Sequence, residues 1–312
     1  MDNAIACRPT RPPSNDQSVR IAGGRTGVLL IHGLGGTPVE MRYVANGIAG
    51  AGHTVHVPQL AGHCSTVSDL MATRWQDWYA SVEQEHRILR ETCDTIVVGG
   101  LSMGAILALH HAANYPKQVA GTVLYAPCFW LDGWAMPWYS PLINIVTSKR
   151  LADCLSFTER DPWGVKDPRT REIVKQAMNS GDSTQAGVPA LPGGQLLELR
   201  DLVNTVKREL ANIAQPALIL HPRDDDHASL RNLEFIQAHL QGRIEAVVLD
   251  DSYHIVTIDK QRRLVMERTI QYIDRLKRTP ALLQTTTDAL GMDHFATPWW
   301  SGAKSGDRSI SR

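Results

Sequence analysis

Short runs of aliphatic and β-branched residues recur along this chain, and amphipathic stretches of helical period separate them. Gly27–Ile31, Gly52–Pro58, Thr95–Val98, Val119–Tyr125, Gln215–His221 and Ile244–Leu249 carry the apolar content of strands buried on both faces. Between them, Thr73–Glu91 reads as an amphipathic helix with Trp75, Trp78, Val82, Ile88 and Leu89 on its inner side. Ala105–Leu109 begins a helix that Pro116 stops, and Thr257–Leu276 reads as the last helix. Thr37-Pro38-Val39-Glu40 has the form of a helix start: Thr37 caps, Pro38 takes the first turn, and Glu40 completes a capping box. Strands alternating with helices, without internal repeats, predict an α/β fold: a mostly parallel sheet covered on both faces.

The pattern weakens between residues 127 and 214, where segments are shorter and rich in proline, glycine and tryptophan. This stretch is expected to be an inserted lid rising from the C-terminal edge of the sheet, so that the main domain spans 26–278. Residues 1–25 hold arginines, prolines and polar residues and are expected to be a flexible extension. They lack the apolar core of a secretory signal, and a cytoplasmic location is expected. Residues 279–312 turn polar and aperiodic and are expected to form a mobile tail, with Trp299-Trp300 as a pair that could dock on the body.

Composition narrows the function classes. The 312 residues include 32 Lys+Arg and 32 Asp+Glu, a formal net charge of +0 that argues against a basic nucleic-acid-binding surface. No apolar run approaches the ~20 residues needed to cross a bilayer. Cys7, Cys64, Cys93, Cys128 and Cys154 are odd in number, widely spaced and free of C-x-x-C pairing. Reduced thiols are expected, with no zinc site, and nothing calls for a cofactor. Oligomeric state is not legible.

The chemistry centres on Gly100-Leu101-Ser102-Met103-Gly104, which follows a strand and opens a helix. Strand, G-x-S-x-G, helix is the context of a nucleophile elbow, whose tight turn lifts the serine hydroxyl clear of the sheet. A serine needs a base, and the base needs an acid behind it. His254 follows the last strand and precedes the last helix, the position expected of the base. His53, His56 and His63 lack metal-pair spacing, and His110, His111 and His239 fall in helical stretches. Arg223-Asp224-Asp225-Asp226 is the acid-bearing turn and offers three candidates, the unused ones being solvated turn residues. The oxyanion donors are expected to be the backbone N–H of Met103 and that of Leu34, in the loop His32-Gly33-Leu34-Gly35-Gly36. That loop lacks the lysine of a P-loop and the spacing of a dinucleotide fold. Gly181-Asp182-Ser183 resembles the serine block of another esterase fold but lies inside the insertion, so Ser183 reads as a turn or cap residue.

With the glycine loop, the elbow, the aspartate turn and Ser252-Tyr253-His254-Ile255-Val256-Thr257-Ile258-Asp259 together, the chain resembles the bacterial carboxylesterases and monoacylglycerol lipases of the α/β-hydrolase superfamily. The resemblance covers about Gly27 to Leu276 and is weakest across the insertion. It implies cofactor-free ester hydrolysis through a serine acyl-enzyme, with Ser102, Asp225 and His254 as the triad and Leu34 and Met103 as oxyanion donors. Related enzymes place the acid nine residues after a strand-opening proline, here Pro216, which points to Asp225, with Asp224 as the alternative. Trp130, Trp134, Trp138, Tyr139 and Trp163 in the insertion either line an acyl pocket or pack the lid onto the body. A small-molecule ester with a hydrophobic acyl group is the expected substrate. Thioesterase, lactonase, amidase and carbon–carbon hydrolase activities share the constellation, and a non-catalytic receptor is the rival of another class.

Overall fold

Leu29 and Ile31 face one hydrophobic core and Val28 and Leu30 the other, so a single strand with continuous apolar sequence divides the molecule into two packed layers. The computed structural model describes residues 16–137, 145–158, 160–188 and 190–289. Its strands are β1 (Val19–Ile21), β2 (Gly24–Ile31), β3 (His53–Val57), β4 (Thr95–Leu101), β5 (Val119–Tyr125), β6 (Ser156–Thr158), β7 (Ala190–Pro192), β8 (Ala217–Pro222) and β9 (Ile244–Leu249). Its helices are α1 (Arg42–Gly50), α2 (Val67–Met71), α3 (Trp75–Arg90), α4 (Met103–Asn114), α5 (Lys149–Ala152), α6 (Pro168–Asn179), α7 (Ser183–Ala186), α8 (Gly193–Glu209), α9 (Arg231–His239) and α10 (Arg262–Ala289).

The main sheet runs in the order β1-β3-β2-β4-β5-β8-β9, parallel throughout except for β1, as the alternating pattern predicts. Trp78, Val82 and Leu89 of α3 pack against one face together with α4 and the second half of α8. Val44 and Ile48 of α1 and Val265 and Ile273 of α10 cover the other. Trp75 and Ile88 are only half-buried, while Glu85 and His86 are buried.

Four expectations are corrected by the packing. Residues 16–25 are not a loose extension: Val19–Ile21 pairs antiparallel with β3, and Arg20 holds Glu85 through two hydrogen bonds of 2.6 and 2.9 Å. A three-residue strand is too short to register as a period, and its anchor lies 65 residues away. The inserted segment also ends earlier than residue 214. Phe129 and the α8 residues Leu199, Leu202, Val203 and Val206 belong to the main core, so among the described residues the segment standing outside it lies between them. The last helix starts at Arg262 rather than Thr257, because Asp259 engages backbone amides and the chain turns there. Helical backbone then continues to Ala289, past the expected end of order at 278. Cys7, Trp138, Tyr139 and the Trp299-Trp300 pair lie outside the described residues. Among the described residues no helix is long and apolar enough to cross a membrane.

Candidate active site

Ser102 sits between β4 and α4 with φ 55° and ψ −114°, a left-handed conformation that is strained for a residue with a side chain. The fold holds it there. Its N–H donates to Tyr125 O at 2.9 Å, and its C=O accepts from Ala105 N at 3.1 Å. The flanking glycines are steric requirements: a Cβ on Gly104 would stand 2.2 Å from Ile31 O, and one on Gly100 2.3 Å from the Gly104 carbonyl carbon. The nearby Cys128 thiol is buried, and that burial, reinforced by Asp225 and Asp132, pushes its ionisation up against a smaller pull from the Ser102 hydroxyl. It stays a protonated thiol and offers no competing nucleophile.

His254 Nδ1 lies 3.0 Å from Asp225 Oδ1 and 2.9 Å from Oδ2. Asp225 is buried, and its Oδ1 also accepts from His227 N and Ala228 N, both at 2.8 Å. Burial works to raise its ionisation, but His254, His221 and the Ala228 amide outweigh it and hold the carboxyl below its ordinary range. A carboxylate fixed by two amides cannot rotate away from the imidazole, so it selects the Nδ1–H tautomer and leaves Nε2 free to accept a proton. Asp224 is more than half exposed and pairs with Lys166 at 3.7 Å. Asp226, expected to be solvated with it, is instead fully buried. Its Oδ1 accepts from His254 N at 3.1 Å and its Oδ2 from Gly164 N at 3.0 Å.

The glycine loop is built on buried polar contacts. His32 Nδ1 lies 2.9 Å from Gly33 O, and its Nε2 accepts from Leu60 N at 3.2 Å. Burial, aided by His63, drops the His32 ring to about 3, so it stays neutral with its proton on Nδ1. Thr37 caps the short turn Pro38–Met41 as the sequence implied. Glu40, by contrast, closes no capping box; its Oε1 accepts from Gly33 N instead. Gly33 N is thereby committed. The N–H groups of Leu34 and Met103 donate to no acceptor among the described residues.

Ser102 and His254 line one cavity of about 750 Å³, together with Leu34 and Met178, and Phe157 and Leu191 of the antiparallel β6–β7 pair. No direct hydrogen bond joins the two side chains, a spacing that catalytic pairs commonly show before substrate tightens it. The wall is mainly aliphatic. Trp130 packs on Phe235 beneath Lys207 and Arg231, and Trp134 lies edge-on to Tyr253; neither they nor Trp163 line the cavity. Ser183 Oγ donates to Ser65 O at 2.7 Å from the start of α7, the structural part expected of it.

The structure therefore gathers Ser102, Asp225, His254, Leu34 and Met103 around one region, and adds Glu40, Asp226, His227 and His221. Glu40 and His221 could have been flagged from sequence by position alone, one beside the glycine loop and the other ending β8. Asp226 could not, since three consecutive aspartates look alike until burial separates them.

Sequence and fold comparisons identify the family. The family described as serine aminopeptidase, S33, matches residues 24–261. The chain belongs to that family of α/β-hydrolases. It is 31% identical over 250 residues to a thermostable monoacylglycerol lipase of Bacillus sp. (strain H-257), covering 80% of this chain and 90% of that one. A carboxylesterase of Bacillus subtilis (strain 168) is 23% identical over 256 residues, covering 81% and 94%. Among solved structures, a metagenome-derived lipolytic enzyme of the LipS and LipT pair superposes with a TM-score of 0.69 at 27% identity, covering 83% of this chain and 97% of that one.

Proposed function

We propose that this protein is a serine esterase that hydrolyses carboxylic esters carrying a hydrophobic acyl group, through an acyl-enzyme on Ser102. The observation that carries the reading is the doubly bonded His254–Asp225 pair, which opens with the strained Ser102 onto one aliphatic cavity. The names of the relatives, a monoacylglycerol lipase and a carboxylesterase, point the same way.

His254 Nε2 takes the Ser102 proton as Oγ attacks the ester carbonyl carbon. The tetrahedral oxyanion rests on the Leu34 and Met103 amides, at the positive end of α4. The C–O bond to the alcohol then breaks, and the alcohol leaves with the proton from His254. Water, deprotonated by the same imidazole, attacks the acyl-enzyme and frees the acid and Ser102. Each oxyanion donor contributes roughly 10²–10³-fold and general base catalysis about 10²–10⁴-fold. Leu131, Met136, Phe157 and Met178 of the inserted segment line the cavity, and the segment acts as a lid that excludes water from the acyl site. Cys64, Cys93, Cys128 and Cys154 are free, in keeping with a cytoplasmic enzyme.

The test is a panel of p-nitrophenyl esters from acetate to decanoate, set against thioesters, lactones and amides. Wild type should cleave the esters fastest, and Ser102→Ala should lose hydrolysis while keeping its fold. Full activity in Ser102→Ala, or a preference for another bond class, would overturn the assignment.

A further inference from the structure

The mechanism uses Asp225 and leaves its neighbour unexplained, although Asp226 is as deeply buried. Each of its carboxylate oxygens is engaged by a backbone amide from a different part of the chain. Oδ1 takes His254 N at 3.1 Å, and Oδ2 takes Gly164 N at 3.0 Å from the inserted segment. Ile255 N returns a bond to Gly164 O at 2.8 Å, closing a small ring of contacts around the catalytic histidine. Asp259 repeats the arrangement one step outward: its carboxylate accepts from Tyr253 N at 2.7 Å, Lys166 N at 2.9 Å and Asp167 N at 2.8 Å. Gly164 is in the left-handed region at φ 67°, and a Cβ there would stand 2.7 Å from Ile255 Cγ1, so the contact is built for glycine. The geometry leaves no slack between residues 163–167 and residues 252–255.

We propose that Asp226 is a positioning residue that locks the imidazole of His254 to the root of the inserted segment. The base and the wall of the acyl cavity are therefore placed by one carboxylate. The root at Gly164–Asp167 stays fixed to the body, and any opening of the lid is made by parts of the segment beyond it. The proposal rests on the reading of His254 as the base of a serine esterase.

The charge has a consequence that mere packing lacks. Asp226 is held well into its ionised range, to about 2, by the His227 hydrogen bond and charge together with His254, against the opposing effect of burial. The groups surrounding His254 are Asp225, Asp226, His227 and His221 from β8 and its turn, Ser102 and Cys128 from the elbow side, and Asp259 on its own loop. Removing the Asp226 charge leaves Asp225 in place and takes one anion away from the imidazolium. That loss favours neutral His254.

The experiment is Asp226→Asn in the full chain, assayed on p-nitrophenyl butyrate across pH. An amide offers only one acceptor oxygen, so it cannot serve both N–H donors. The expected result is a fall in kcat of roughly 10–100-fold with KM changed less than about twofold, and an acid limb of kcat/KM moved to lower pH. A folded Asp226→Asn enzyme with the kcat and acid limb of wild type sinks this inference alone. Wild type without esterase activity sinks the functional reading instead. Hydrogen exchange on wild type supplies the arm that needs no variant. The Gly164 and His254 amides should exchange at least about 100-fold slower than free chain, as buried bonded amides do. Exchange of Gly164 at the free-chain rate overturns the tie.

Discussion

Asp225 meets His254 Nδ1 with both carboxylate oxygens, at 3.0 and 2.9 Å, while two amides of the following turn hold its Oδ1 from the other side. This is the one acid of the three consecutive aspartates whose geometry can fix the tautomer of the imidazole. Asp225→Asn should therefore lower kcat by roughly 10³–10⁴-fold, as replacement of a triad acid by its amide does elsewhere. Asp224→Asn should stay within about twofold of wild type, since that side chain is mostly solvated. Steady-state kinetics on one ester decides between them, and equal losses in the two variants would contradict the assignment.

Glu40 spends its charge on the loop rather than on a helix cap. Because Oε1 accepts from Gly33 N, and Gly36 packs against the same carboxylate, Glu40 sets the path of the backbone on which Leu34 N is presented. Glu40→Ala should reduce kcat about tenfold through a displaced oxyanion donor, with KM little changed. Glu40→Gln keeps an acceptor oxygen and should recover most of that loss. Wild-type kcat in Glu40→Ala would show the loop to be held without it.

Acidification should unfold the protein earlier than a carboxylate count implies. His32, His63 and His111 are almost wholly buried, and burial lowers them to about 3, 4 and 3 from an ordinary value of 6.5. Above 6.5 both states are neutral and stability is unaffected. Below 6.5 the unfolded chain binds protons that the native state refuses, so each ring removes about 1.4 kcal/mol per pH unit until its folded value is reached. Glu85 and Asp226, both lowered to about 2, add a second loss only as pH falls below the carboxylate range. Thermal melts between pH 6.5 and 4 should show Tm falling steadily, whereas a plateau down to pH 5 would contradict the buried neutral state of these histidines.

The cavity wall predicts chain-length selectivity. Val174 of α6 lines the cavity without belonging to the hydrophobic core clusters. Val174→Trp should cost decanoate ester about tenfold in kcat/KM while sparing acetate, because filling pocket volume penalises the longer acyl chain by 1–3 kcal/mol or so. An equal effect on both esters would place the acyl chain elsewhere.

What the sequence disclosed follows from the range over which each signal acts. Most parallel strands are legible because they are rich in aliphatic and β-branched residues, and the elbow because glycines at 100 and 104 are demanded by contacts within a few residues or across one strand pair. Strand Val19–Ile21 is not, since its anchor at Glu85 is distant in the chain. The assignment of α8 to the body needed Leu202 and Val206 seen against α4, information that periodicity does not hold. The tryptophans of the insertion leave two roles open; Trp130 packs on Phe235, and none of the described ones lines the cavity. Asp226 looks like a solvated neighbour in sequence because burial is a property of the fold, not of a three-aspartate string.

The account stands or falls on Ser102 as the nucleophile. Incubating the purified protein with a fluorophosphonate and mapping the adduct by peptide mass spectrometry tests this directly. The expected result is one stoichiometric phosphonyl adduct on Ser102, absent from heat-denatured protein and from Ser102→Ala. A folded wild-type protein that takes up no label, or carries it on another residue, would contradict the account.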